Sequence, residues 1–126
     1  MTFMRRGAAA FVLSLGVSTS AQADGFILGS GSWTCGQALA TVQNGTPLDR
    51  GQLIGWIMGF WTAASFEQED GLAQVLAQSG GQTVANLTIN ECRQQPANAP
   101  IYLVTQGLIE NTRASIAAAA ETSEGE

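Results

Sequence analysis

The sequence has no lysine and no histidine; its basic residues are five arginines, Arg5, Arg6, Arg50, Arg93 and Arg113. Each absence removes a class of chemistry. Without lysine there is no Schiff-base amine and no phosphate-loop lysine. Without histidine there is no Ser–His or Cys–His pair, no HExxH zinc motif and no imidazole titrating near neutrality. Charged residues are 12% of the chain, against about 25% in an average globular protein. The apolar share, 45%, is ordinary, so composition does not point to disorder. A protein that is not an enzyme, with no cofactor and no metal, is the expectation.

The 126 residues open on a pattern of export. Arg5 and Arg6 precede an apolar run from Ala8 to Val17, and Ala21-Gln22-Ala23 forms a small-x-small cleavage site before Asp24. The run is too short to span a bilayer. Residues 1–23 therefore read as a secretory signal peptide and the destination as a bacterial periplasm. Cleavage leaves three arginines against ten carboxylates, a side-chain balance of −7. Such a chain has little to offer nucleic acid or an anionic membrane surface, while a protein partner, basic ones included, suits it.

Cys35 and Cys92 are the only cysteines. In an oxidising compartment an even pair in a small domain reads as a disulfide. No CxxC pair and no nearby lysine or histidine favours a reactive thiol instead.

Helical spacing recurs along the rest of the chain, and no alternating strand pattern of any length appears. The expectation is an all-α fold, a small four- or five-helix domain pinned by one disulfide. Residues 24–31, rich in Gly and Ser, read as a flexible N-terminal arm; 32–120 as the helical domain; 121–126 as an acidic disordered tail. Ser32 or Thr34 caps the first helix, and Asn44-Gly45 breaks it. Thr46-Pro47 or Asp49 starts the second, which extends to about Phe66 with apolar residues round nearly its whole circumference, the mark of a central helix covered by others. Leu72, Val75 and Leu76 make a short third helix, Thr83 to Cys92 a fourth, and the residues after Pro100 a fifth.

Two features of the second helix bear on function. Gly51, Gly55 and Gly59 fall four apart, continued by Ala63, so they share one face that another backbone can approach closely. Glycine costs about 1 kcal/mol each in a helix interior, which implies packing on that face, within the domain or across a homodimer. Trp56, Phe60 and Trp61 lie in the middle of the same helix, either as core or as apolar surface offered to a partner. Glu67, Glu69 and Asp70 read as a solvated turn, since the oxygen-ligand spacing of a calcium loop is absent.

Three stretches carry a resemblance: Trp33-Thr34-Cys35-Gly36-Gln37-Ala38-Leu39, Gly55-Trp56-Ile57-Met58-Gly59-Phe60-Trp61-Thr62-Ala63-Ala64, and Ile89-Asn90-Glu91-Cys92-Arg93-Gln94-Gln95-Pro96. Together they resemble the HdeA/HdeB family of small periplasmic acid-stress chaperones. The resemblance implies a Cys35–Cys92 bridge and a dimer that opens in acid. It also implies apolar surface from Trp56 to Trp61 that holds unfolded clients. Protonating the carboxylates near pH 4 shifts the balance from −7 to +3. The missing lysines are a departure, because in that family they keep chaperone–client complexes soluble in acid. A similar Cys-bridged, Gly-aromatic helical pattern occurs among small periplasmic immunity proteins that neutralise a secreted cell-wall amidase, though those carry additional cysteines. The alternative expectation is thus an inhibitor of one specific secreted hydrolase.

Overall fold

A computed structural model describes residues 25–125. The expected signal peptide, residues 1–23, lies outside the described residues. Five α-helices follow one another: α1 (Cys35–Asn44), α2 (Pro47–Ser65), α3 (Leu72–Ser79), α4 (Gly81–Cys92) and α5 (Ile101–Glu124). A single 3-10 turn, Gly29–Ser32, precedes them. No strand occurs among the described residues, so the all-α class and the five-helix arrangement hold as expected.

Local chemistry explains where the helices begin. Thr34 caps α1: its hydroxyl accepts the Gln37 N–H, and the Gln37 side chain accepts the Thr34 N–H in return. Thr46 and Asp49 repeat that reciprocal pairing at α2, with Pro47 in the first turn, where no N–H is needed. Only Gly80 separates α3 from α4, and its φ of +79° lies in the left-handed region that glycine enters without strain. The fourth helix therefore starts at Gly81, two residues before the expected Thr83.

The core forms around α2. Leu53, Ile57, Trp61 and Ala64 recur every three to four residues on its inner face and are buried. They belong to one apolar cluster with Leu72 of α3, Val84 and Ile89 of α4, and Ile101, Val104 and Ile109 of α5. The Cys35–Cys92 disulfide ties the start of α1 to the end of α4, with the two Cα atoms 5.0 Å apart. Alongside it the segment before α5 hydrogen-bonds to the start of α1: Cys35 N–H donates to Ala99, Gly36 N–H to Ala97, and Ile101 N–H to Trp33.

Three expectations need correction. The arm at 24–31 is not loose from Gly29 onward. Ser30 and Gly31 are buried, the Ser30 hydroxyl donates to the Gln52 carbonyl at 3.1 Å, and Gly31 lies so close to the Trp56 indole that a Cβ would overlap it. Glycine here serves close approach rather than flexibility. The tail at 121–126 is helical through Glu124. Four consecutive alanines, Ala117–Ala120, carry α5 beyond its last apolar contact at Ile116, because alanine is the best helix former. Finally, α2 is not covered all round: one of its faces is open to solvent.

Candidate functional site

That open face is the candidate site. The glycine row that the sequence places on one side of α2 points outward: Gly51, Gly55 and Gly59 are all exposed, and a Cβ built on any of them meets nothing within 4 Å. Packing of this row inside the domain is therefore ruled out, and the glycines cost helix stability with no compensating contact within the protomer. Ala63 and Thr62 extend the face, and Leu48 and Phe66 stand at its two ends, 81% and 85% exposed. Asp49 and Arg50 in the first turn are the only charged residues of α2. The result is a long, uncharged, mostly apolar strip on an acidic chain.

The three aromatic residues of α2 divide in two directions. Trp61 is 1% exposed, with its indole N–H donating to the Thr88 hydroxyl at 3.2 Å, so it belongs to the core and not to a client or dimer surface. Its position is one turn from Ile57 on the inner face, which settles its direction. Trp56 and Phe60 are half-buried on the flank and stack on each other with ring centroids 5.0 Å apart. Trp56 covers Gly31, and Phe60, one turn further along the same flank, borders a cavity of about 310 Å³ shared with Ile109, Glu110 and Arg113. Leu48 and Phe66 escaped the sequence reading, although each continues the three-to-four-residue spacing of the glycine row.

A second cluster was also missed. The acidic turn after α2 is a latch rather than a solvated loop. Arg113 of α5 donates through Nε to Asp70 at 2.6 Å and through a terminal nitrogen to the Ala64 carbonyl at 2.7 Å, and lies 3.3 Å from Glu67. It thereby closes the C-terminal end of α2, whose last carbonyls have no intrahelical donor. The Leu72 N–H, bonded to Asp70 at 3.1 Å, holds the Asp70 carboxyl below its usual range. Desolvation opposes that lowering, which Arg113 reinforces through its hydrogen bond and its charge. A carboxyl with a depressed folded-state pKa stabilises the fold above its unfolded value near 3.8, and that contribution disappears as pH falls through the folded-state value. The thermal midpoint of the wild type is thus expected to exceed that of Asp70→Asn at pH 6 and to converge on it as pH falls well below 3.8. A constant gap between the two proteins across that range would remove Asp70 from the acid response.

A cleft of about 520 Å³ lies between the 91–100 segment and α5. Leu103 and Leu108 line it together with Glu91, Gln95 and Asn111. No described helix is long and apolar enough to cross a membrane. A scan against protein-family models finds no match, and searches of curated proteins and of solved structures find none either.

Proposed function

We propose that this chain is a periplasmic, non-enzymatic stress protein of the HdeA/HdeB type that binds unfolded clients through apolar helix surface. The observation that carries the reading is the open face of α2 from Leu48 to Phe66, apolar, floored by glycine and free of charge. An unfolded segment needs apolar contact without a fixed charge pattern, and a glycine floor lets its backbone approach closely. The buried disulfide and the export-like N-terminus favour an oxidising compartment. The three motifs that resemble the family include both cysteines and the middle of α2.

The alternative, an inhibitor of one secreted hydrolase, draws on charge. Arg113 is engaged by Asp70, Glu67 and a backbone carbonyl, so most of the remaining surface charge is acidic and suits a basic active site.

The test is light scattering from an acid-unfolding client at about pH 3, with and without the oxidised protein. The wild type is expected to suppress scattering at near-stoichiometric ratios, and the Leu48→Ser/Phe66→Ser double variant to lose most of that effect while keeping its helical circular dichroism. Co-precipitation of the wild type with its client would reject the chaperone reading and send the search to a specific partner.

A further inference from the structure

We propose that the cleft between the 91–100 segment and α5 is a binding site for a small organic cation, an apolar body carrying one amine or guanidinium group. The cleft shares no residue with α2, so the inference stands apart from the open face and from the client-binding reading.

The argument begins with a glycine. Gly107 lies in the middle of the cleft-facing side of α5, with Leu103 one turn before it and Asn111 one turn after. A glycine inside a helix weakens it, and nothing within the protomer demands one here. Its φ is not positive, and a Cβ built on it meets nothing within 4 Å. Gly107 is nevertheless half-buried, because the empty space above it is the cleft itself. At about 520 Å³ that space falls in the range of pockets that hold small molecules. Leu103, 50% exposed, and the half-buried Leu108 give it an apolar wall. The missing side chain makes room for something from outside.

Charge decides what enters. Glu91 is the single ionised residue lining the cleft, and it is half-buried. One of its carboxylate oxygens accepts the Gln95 side-chain N–H at 2.8 Å, and the other has no hydrogen bond or ion pair among the described residues. Glu91 is also the penultimate residue of α4, where the partial negative charge of the helix gathers, and no basic residue occupies that last turn. Arg93, just beyond, bonds the Asn90 side chain. A carboxylate and a helix C-terminus thus present negative potential to the same end of the cleft. That combination costs the helix stability, and a bound cation relieves it.

Length sets the size of the ligand. Leu103 and Asn111 span about 12 Å along α5, room for no more than about four residues of an extended peptide at about 3.3 Å each. A compact molecule suits that length better than a peptide strand. Its apolar body rests on Leu103 and Leu108, its charged group turns to Glu91, and the side-chain amides of Gln95 and Asn111 offer the remaining hydrogen bonds.

The test is two-dimensional amide NMR of the oxidised protein at pH 7, titrated with three probes of one shape: phenylbutylamine, phenylbutanol and phenylbutyrate. The amine is expected to shift the Gly107 backbone signal and the Gln95 and Asn111 side-chain signals, half-saturating at about 5 mM or below. The alcohol is expected to bind about fivefold more weakly, and the carboxylate to leave these signals in place. Glu91→Gln keeps the shape of the side chain and is expected to bring the amine down to the level of the alcohol. Gly107→Leu fills the cleft. It is expected to abolish the Gln95 and Asn111 shifts while its thermal midpoint stays at or above that of the wild type, since leucine is the better helix former. No cleft shift at about 20 mM amine overturns the inference, as do shifts confined to α2. Equal binding of amine and alcohol overturns the cationic class, and a folded Gly107→Leu that binds undiminished overturns the site. Both variants are expected to hold clients as the wild type does, so a failure of client holding removes the proposed function and leaves this site standing.

Discussion

Replacing both cysteines by alanine is expected to lower the unfolding free energy by about 4 kcal/mol. The bridge spans 57 positions of sequence, and in the chain-entropy model opening a loop of that size returns about that much freedom to the unfolded chain. A domain of this size typically has only about 5–15 kcal/mol in total, so the loss is a large fraction of the whole. Position adds to it. Cys35 is the first residue of α1 and Cys92 the last of α4, and both are 0–1% exposed. The bridge also sits beside the three backbone hydrogen bonds that join residues 33–36 to residues 97–101. Once it is cut, α1 retains its Thr34 cap and the contacts of Ala38, Leu39 and Val42, a small apolar set for a ten-residue helix. Urea unfolding of the oxidised wild type and of Cys35→Ala/Cys92→Ala measures the loss. Hydrogen exchange is expected to show α1 and residues 97–101 losing protection before α2. A midpoint shift corresponding to less than about 1 kcal/mol would mean that packing around α2, not the crosslink, holds the two ends together.

How far the sequence discloses this molecule depends on whether the relevant physics is local. The caps at Thr34 and Thr46 are legible because each involves residues three apart, and the break at Asn44-Gly45 is legible because glycine marks it. The glycine row is legible as a row but not in its direction. Glycine carries almost no hydropathy, so a helix with apolar residues on most sides does not declare which side is outward. Trp56 and Trp61 show the same difficulty. They are five positions apart, far enough round the helix that one covers the backbone at Gly31 while the other enters the core. The Arg113 latch joins residues 43 and more positions apart, and no local pattern announces it. Gly31 is the most instructive miss, since a composition that signals a loose arm serves here to let a backbone lie flat on an indole ring.

Trp61 offers the second large effect and separates the core of α2 from its open face. Trp61→Ala is expected to cost about 3–5 kcal/mol, because a fully buried aromatic side chain is removed from a close-packed cluster that cannot collapse into the space. Trp61→Phe keeps much of the volume but loses the indole N–H donor to Thr88, and about 1–2 kcal/mol is expected. Thr88→Val works from the other side. It removes the acceptor, leaves the Trp61 N–H buried without a partner, and also breaks the hydroxyl's own bond to the Val84 carbonyl. If the Trp61–Thr88 bond is the coupling element, the Trp61→Phe/Thr88→Val double variant loses less than the sum of the two single losses. Additive losses in urea unfolding would show that Trp61 acts by volume alone. Client holding should then follow the folded fraction of every Trp61 variant, because the side chain never reaches the surface. A variant on the open face, such as Leu48→Ser/Phe66→Ser, breaks that correlation by losing holding while remaining folded, which is the behaviour that distinguishes a binding surface from the core beneath it.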